Sequence, residues 1–137
     1  MNMNTQQLLN VLKNDNASLE TIMETIPDLT FVDYLNYLID GSHLSKSDII
    51  KKAALDRTYC YQIFDGRRTP GKDKIIALAI AMSLPLEDTN RLLTLANQGT
   101  LYSKVKRDAI IIYALSRHFD IIKTNELLYE YDFEPIK

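Results

Sequence analysis

Cysteine is all but missing from this sequence. Cys60 is the only one among 137 residues, so no internal disulfide can form and the chain suits a reducing compartment, the cytoplasm. Glycine and proline are scarce too, four of each, which argues against disorder or a fibre and for a helical globule. No long apolar run is present. The nearest, Ile75 to Leu86, falls well short of the roughly 20 residues a membrane span needs. Met1 to Asn10 carries no positive charge ahead of its short apolar run and does not read as a secretory signal. His43 and His118 lie far apart, with no cysteine or carboxylate at metal-ligand spacing. A glycine-rich phosphate loop and any catalytic constellation are likewise missing. These absences lead to the expectation of a protein that is not an enzyme, needs no cofactor or metal and has no membrane partner.

What is present is apolar content, 46% of the chain, in a length sufficient for one compact domain with a core and too short for two full ones. The net charge of −2 argues at first against nucleic acid, but the charge is unevenly spread. Residues 1–42 hold Lys13 against six acids. Residues 43–74 hold eight Lys and Arg against four acids, a local net of +4. A basic face on an acidic chain is what phosphate contact requires, whatever the total. Taken singly, each of these cations also suits a solvated helix surface.

Local signals mark helices throughout. Thr5 to Lys13 reads as a short helix with Leu8, Leu9, Val11 and Leu12 on one broad face, ended by Asn14-Asp15-Asn16. Ser18 to Ile26 forms a weaker one, stopped by Pro27. Thr30 caps a third, in which Phe31, Tyr34, Leu35 and Leu38 repeat at helical spacing up to Gly41. Ser45-Lys46-Ser47-Asp48 is a capping box that opens a helix to about Ala53, burying Ile49 and Ile50. Asp56 caps the next, Arg57 to about Phe64, so two short helices meet at a turn around Ala54-Leu55. Asp65-Gly66 stops the second, and Arg67-Arg68-Thr69 is an exposed basic turn. Pro70 is placed to open a helix carrying Ile75, Ile76, Leu78, Ala79 and Met82, and Pro85 opens another carrying Leu86, Leu92, Leu93 and Leu95. Lys106 to Phe119 and Ile121 to Tyr131 complete an all-α chain. His43 falls in a loop and His118 near a helix end, where the dipole favours a cation.

An internal repeat appears at an offset of 35 residues. DKIIALAIAMSLPLEDTNRLL, Asp73 to Leu93, overlays DAIIIYALSRHFDIIKTNELL, Asp108 to Leu128, with eight of 21 positions identical. Two helix hairpins with similar packing converge on apolar positions without common origin. The shared polar pair Thr89-Asn90 and Thr124-Asn125 goes beyond that and points to duplication. Either way the last hairpin is expected to stack on the preceding one and extend its core.

The stretch Leu44 to Leu86 resembles the phage-repressor (Cro-like, xenobiotic-response-element) helix-turn-helix family. The matching features are the Leu-Ser opening, the short-helix, turn, short-helix spacing, the Gly-Arg-Arg-x-Pro turn at Gly66 to Pro70, and the apolar helix ending Met82-Ser83-Leu84. With Phe31 to Gly41 as first helix, the likeness spans about half the chain. It implies a repressor-like five-helix domain over 30–98, which leaves the N-terminal helices over 1–29 and the C-terminal hairpin over 99–137 outside the likeness. In such domains the second short helix enters the major groove. The resemblance then implies that Arg57, Thr58, Tyr61 and Gln62 read bases, while Cys60 and Ile63 face the core. By the same resemblance Lys46, Arg67 and Arg68 contact phosphates. Arg57 can bond guanine and Gln62 adenine in bidentate fashion. Of Tyr59 and Tyr61, one is expected to pack inward and the other to face DNA. Two positions depart from the family. Ala54 stands where glycine is usual, so the turn is expected to avoid positive φ. Phe64 stands where glutamate is usual and is expected to join the core.

The function expected is therefore sequence-specific binding of double-stranded DNA by a transcriptional regulator, acting as a homodimer because one reader spans few base pairs. The alternative is a protein-interaction module, in an antitoxin, phage-immunity or adaptor role, that keeps the fold and receives a protein partner through its N-terminal or C-terminal helices.

Overall fold

Short polar side chains set the helix starts. In the computed structural model, which describes residues 4–14, 18–26 and 28–137, Thr30 Oγ1 accepts from the Asp33 amide at 3.2 Å and Ser45 Oγ from the Asp48 amide at 3.0 Å. Asp120 Oδ1 accepts from the Lys123 amide at 2.8 Å. Each bond satisfies one of the amides a helix start leaves unpaired. The helices so begun, among the described residues, are α1 (Thr5–Asn14), α2 (Leu19–Thr25), α3 (Phe31–Ser42), α4 (Lys46–Ala53), α5 (Arg57–Phe64), α6 (Lys72–Ala81), α7 (Leu86–Leu95), α8 (Lys106–Ser116) and α9 (Ile121–Glu130). No strand occurs among them, and the fold is all-α. None is long and apolar enough to cross a membrane. The expected stops at Asp15-Asn16 and Pro27 lie outside the described residues.

Boundaries differ from expectation at the start of α6 and at the end of α8. Pro70 does not open α6; it is buried ahead of it, and Gly71 takes the N-cap. The helix α8 stops at Ser116 rather than Phe119, because His118 adopts φ 57° and the Phe119 amide turns back to the Ala114 carbonyl at 3.0 Å. Ala54 also departs from expectation, with φ 56°. The turn keeps the left-handed geometry that glycine would take without strain, and alanine adopts it at a cost of about 1–2 kcal/mol.

The core is built around α6, whose residues Ile75 to Ala81 are all buried. It packs against α4, α7 and α9, while α3 lies across α5 and α7. Tyr34 fastens α3 to α7: its hydroxyl donates to Asp88 at 3.2 Å and accepts from Arg91 at 3.3 Å. Burial, and then Asp88, push the Tyr34 phenol above its usual pKa. At the N-terminal end α1 packs on α2, leaving Leu9, Leu12, Leu19 and Met23 exposed and Ile22 buried.

The repeat is carried into three dimensions by matched bonds. The fully buried Thr89 and Thr124 hydroxyls donate to the carbonyls of Pro85 and Asp120, at 3.0 and 2.8 Å. Asn90 Oδ1 accepts from the Leu101 amide and Asn125 Oδ1 from the Ile136 amide, each at 2.8 Å. Ser83 and His118 share a left-handed backbone, as do Asn97 and Asp132. The two units are thus α6–α7 with its following loop and α8–α9 with its own. Their mutual packing is reciprocal. Lys72 of the first meets Asp108 of the second at 3.6 Å, and Arg107 of the second meets Asp73 of the first at 3.0 Å. The Tyr102 amide donates to Asp108 at 3.0 Å and the Lys137 amide to Asp73 at 3.4 Å. Contacts in which i meets j and j meets i are those of a two-fold relation rather than a translational stack. The second hairpin faces the first about a pseudo-two-fold axis.

Candidate nucleic-acid interface

Hydrogen bonds tie down both ends of the helix α5. Asp56 Oδ2 accepts from the Tyr59 amide at 2.8 Å, and the left-handed Ala54 turns the chain between α4 and α5. At the far end Asn36 of α3 donates its amide to the Phe64 carbonyl at 3.0 Å and to the Val32 carbonyl at 2.9 Å. Asn36 was not foreseen; the signal for it was a lone amide inside an otherwise apolar helical stripe. The inward face is Cys60, Ile63 and Phe64, all buried. Burial pushes the Cys60 thiol above its usual pKa, and nearby Asp56 adds to that, so the protonated form is favoured.

The outward face gathers the four residues expected there. Arg57 and Thr58 are exposed, and Tyr61 and Gln62 are half-buried. Arg57 donates to Ser47 Oγ of α4 at 3.4 Å, and its guanidinium lies 5.3 Å from the Tyr61 ring centre. Gln62 Oε1 accepts from Arg68 Nε at 3.0 Å, a bond that engages the acceptor half of the amide and not its NH₂ donor. The expected division of Tyr59 and Tyr61 into one inward and one outward ring is not what forms. Both are half-buried: Tyr61 sets its edge against Phe64 at 5.9 Å, and Tyr59 carries Arg68 at 5.1 Å and Lys74 at 5.8 Å. Each ring backs a cation, which limits the rotamer freedom those long side chains would otherwise lose on binding.

The three cations expected on phosphates surround α5. Lys46 begins α4 and lies 5.9 Å from the Phe64 ring centre. Arg67 and Arg68 follow α5, their backbone amides both donating to the Gln62 carbonyl, at 2.9 and 3.2 Å. Among the described residues, Lys46 and Arg68 form no ion pair with a carboxylate, and Arg67 does. Arg67 forms an exposed ion pair with Asp65 at 2.7 Å, and the Arg67 hydrogen bond holds the Asp65 carboxyl below its ordinary pKa. Sequence reasoning missed this pairing and the contributions of Ser47 and Lys74. Among the described residues no group of His, Cys, Asp or Glu is arranged to hold a metal.

Compared with known proteins, the chain matches no family model, no curated protein and no solved structure. What is shown is an all-helical protein with a capped, clamped short helix edged by cations and a reciprocal pair of hairpins behind it.

Proposed function

We propose that this chain binds double-stranded DNA with sequence preference through α5, as a cytoplasmic transcriptional regulator of the repressor-like helix-turn-helix type. The observation that carries the reading is one of juxtaposition. Arg57, Thr58, Tyr61 and Gln62 share one face of a capped helix, and Lys46, Arg67, Arg68 and Lys74 edge that face on several sides. A helix fits the major groove, base edges need such donors, and flanking cations set the register on the backbone. The test is fluorescence anisotropy with duplexes tiled across the DNA upstream of the chain's own gene, against an unrelated duplex. Preferential, salt-sensitive binding to one tile is expected. Absence of affinity for any duplex at low ionic strength would sink the reading.

A protein-interaction role is the second reading, and one observation favours it. Arg67 is already neutralised by Asp65, which weakens the phosphate-facing field at that edge. That role predicts a patch whose cations can be changed without effect on any duplex.

A further inference from the structure

The pseudo-two-fold axis has a consequence on the side of each hairpin away from it. In α6–α7 that side is covered: Lys74 of α6 lies against Tyr59 of α5, and Asp88 and Arg91 of α7 meet Tyr34 of α3. Leu78 and Leu92 there have no exposure at all, and Ala96 is buried. The matching positions of α8–α9, an offset of 35 further on, are Ala109, Lys123, Glu126, Tyr113, Leu127 and Tyr131. Of these, Ala109, Tyr113, Leu127 and Tyr131 line an open apolar groove, with Tyr113 46% and Tyr131 62% exposed and Arg117 of the same hairpin stacked on the Tyr113 ring. The second hairpin therefore carries bare the face that the first uses to seat α3–α5.

We propose that a second copy of this chain covers this face, with α9 packed antiparallel on the α9 of that copy. Charge selects the occupant. On one stripe of α9, at helical spacing, stand Lys123, Leu127 and Glu130, continued by Tyr131 at its C-cap, basic at the start and acidic at the end. A two-fold axis near Leu127 brings Lys123 of each copy opposite Glu130 of the other, and sets the two Leu127 side chains together between the tyrosines. A face shared by two identical subunits must complement itself, and here the Lys123–Glu130 pairs and the apolar contact at Leu127 supply that complementarity. The intramolecular axis is already occupied by α6–α7 against α8–α9, so the outer face is the one left for self-association. This inference does not depend on what α5 binds.

Sedimentation velocity on the full-length chain across a micromolar concentration series tests it. A dimer is expected. Lys123→Glu and Glu130→Lys each place like charges opposite one another twice per dimer and should weaken association by about tenfold or more. The double variant restores both pairs and should return to within about threefold of the parent. Tyr131→Glu, at an exposed position that leaves the core untouched, should weaken it as well. The proposal is overturned if the chain is monomeric throughout the series. It is equally overturned if the double variant associates no better than the singles, or if removal of residues 1–29 abolishes a dimer that the α9 variants leave intact.

Discussion

Arg107 and Asp73 are joined by two parallel bonds, Nη1 to Oδ1 at 3.2 Å and Nη2 to Oδ2 at 3.0 Å, across the line where the hairpins meet. The counterpart pair Lys72 and Asp108 makes a single, longer contact of 3.6 Å. The same reciprocal position is thus filled by a fork on one side and a point charge on the other. The fork also donates to backbone carbonyls, to Glu134 at 3.1 Å and Pro135 at 3.3 Å, pinning the C-terminal segment.

The two pairs should therefore differ in cost when broken. Arg107→Ala removes four hydrogen bonds and leaves Asp73 with the Lys137 amide at 3.4 Å. It should destabilise the chain by about 1–3 kcal/mol. Lys72→Ala breaks one longer contact and leaves the buried Asp108 still accepting from the Tyr102 amide, so it should cost less. Urea denaturation of both variants checks the order; equal losses would show that the fork carries no special weight.

At Ala54 a gain is expected. Alanine sits at φ 56°, so Ala54→Gly should relieve about 1–2 kcal/mol of backbone strain, set against about 0.5–1 kcal/mol of extra chain entropy. The net is a modest stabilisation, with binding unchanged. Ala54→Val, branched at Cβ in the same backbone, should destabilise. Thermal melting of the two variants beside the parent decides it, and the idea fails if glycine proves the worse of the two.

How much of this was legible in the sequence follows from the range of each signal. Thr30, Ser45 and Asp56 were readable as caps because a cap is a contact within three residues. Cys60, Ile63 and Phe64 were readable as core because helical spacing places them on one side. The Ala54 turn was misread, since a local rule assigns alanine away from positive φ and the packing of α4 and α5 overrides it. The 35-residue repeat was visible as matching letters. The reciprocity of Lys72 with Asp108 and Arg107 with Asp73 was not, because a repeat states that two units are alike and not how one is turned against the other. Arg67 was read as a free cation for want of any signal that Asp65, two residues before it, folds back onto the guanidinium.

Cys60 offers an independent probe of the core beneath α5. Its side chain has no exposure and burial favours the thiol, so iodoacetamide should leave it unmodified in the native chain at neutral pH. Labelling should become complete in denaturant. Rapid native labelling would mean that α5 opens locally and cannot serve as a rigid reader.

For the reading face, Arg57→Ala and Gln62→Ala should each lose about 1–3 kcal/mol of affinity for the preferred duplex and relax the preference at one position. Neither is buried in the core, so melting temperatures should hardly move. Gln62→Ala carries an added effect, because it releases Arg68 from the 3.0 Å bond that holds it over Tyr59. If both variants bind the parent site unchanged, α5 is not the reader.

Salt dependence separates the cations from one another. If Lys46, Arg67 and Arg68 of each protomer contact phosphate, a dimer neutralises about six, and log K should fall against log salt with a slope near −5. Arg68→Ala should flatten the slope by about one per protomer while leaving base preference intact. Arg67→Ala should do less, because in the free chain Arg67 is already paired with Asp65 at 2.7 Å. Asp65→Asn removes that competitor and should raise affinity and steepen the slope, with no change in which duplex is preferred. Screening confines the effect to within about 8 Å at physiological salt, so it reports contact at this edge and not the overall charge of −2. Anisotropy titrations at several salt concentrations supply every slope. An unchanged slope in Asp65→Asn together with an unchanged slope in Arg67→Ala would remove Arg67 from the interface and leave Lys46 and Arg68 as its phosphate contacts.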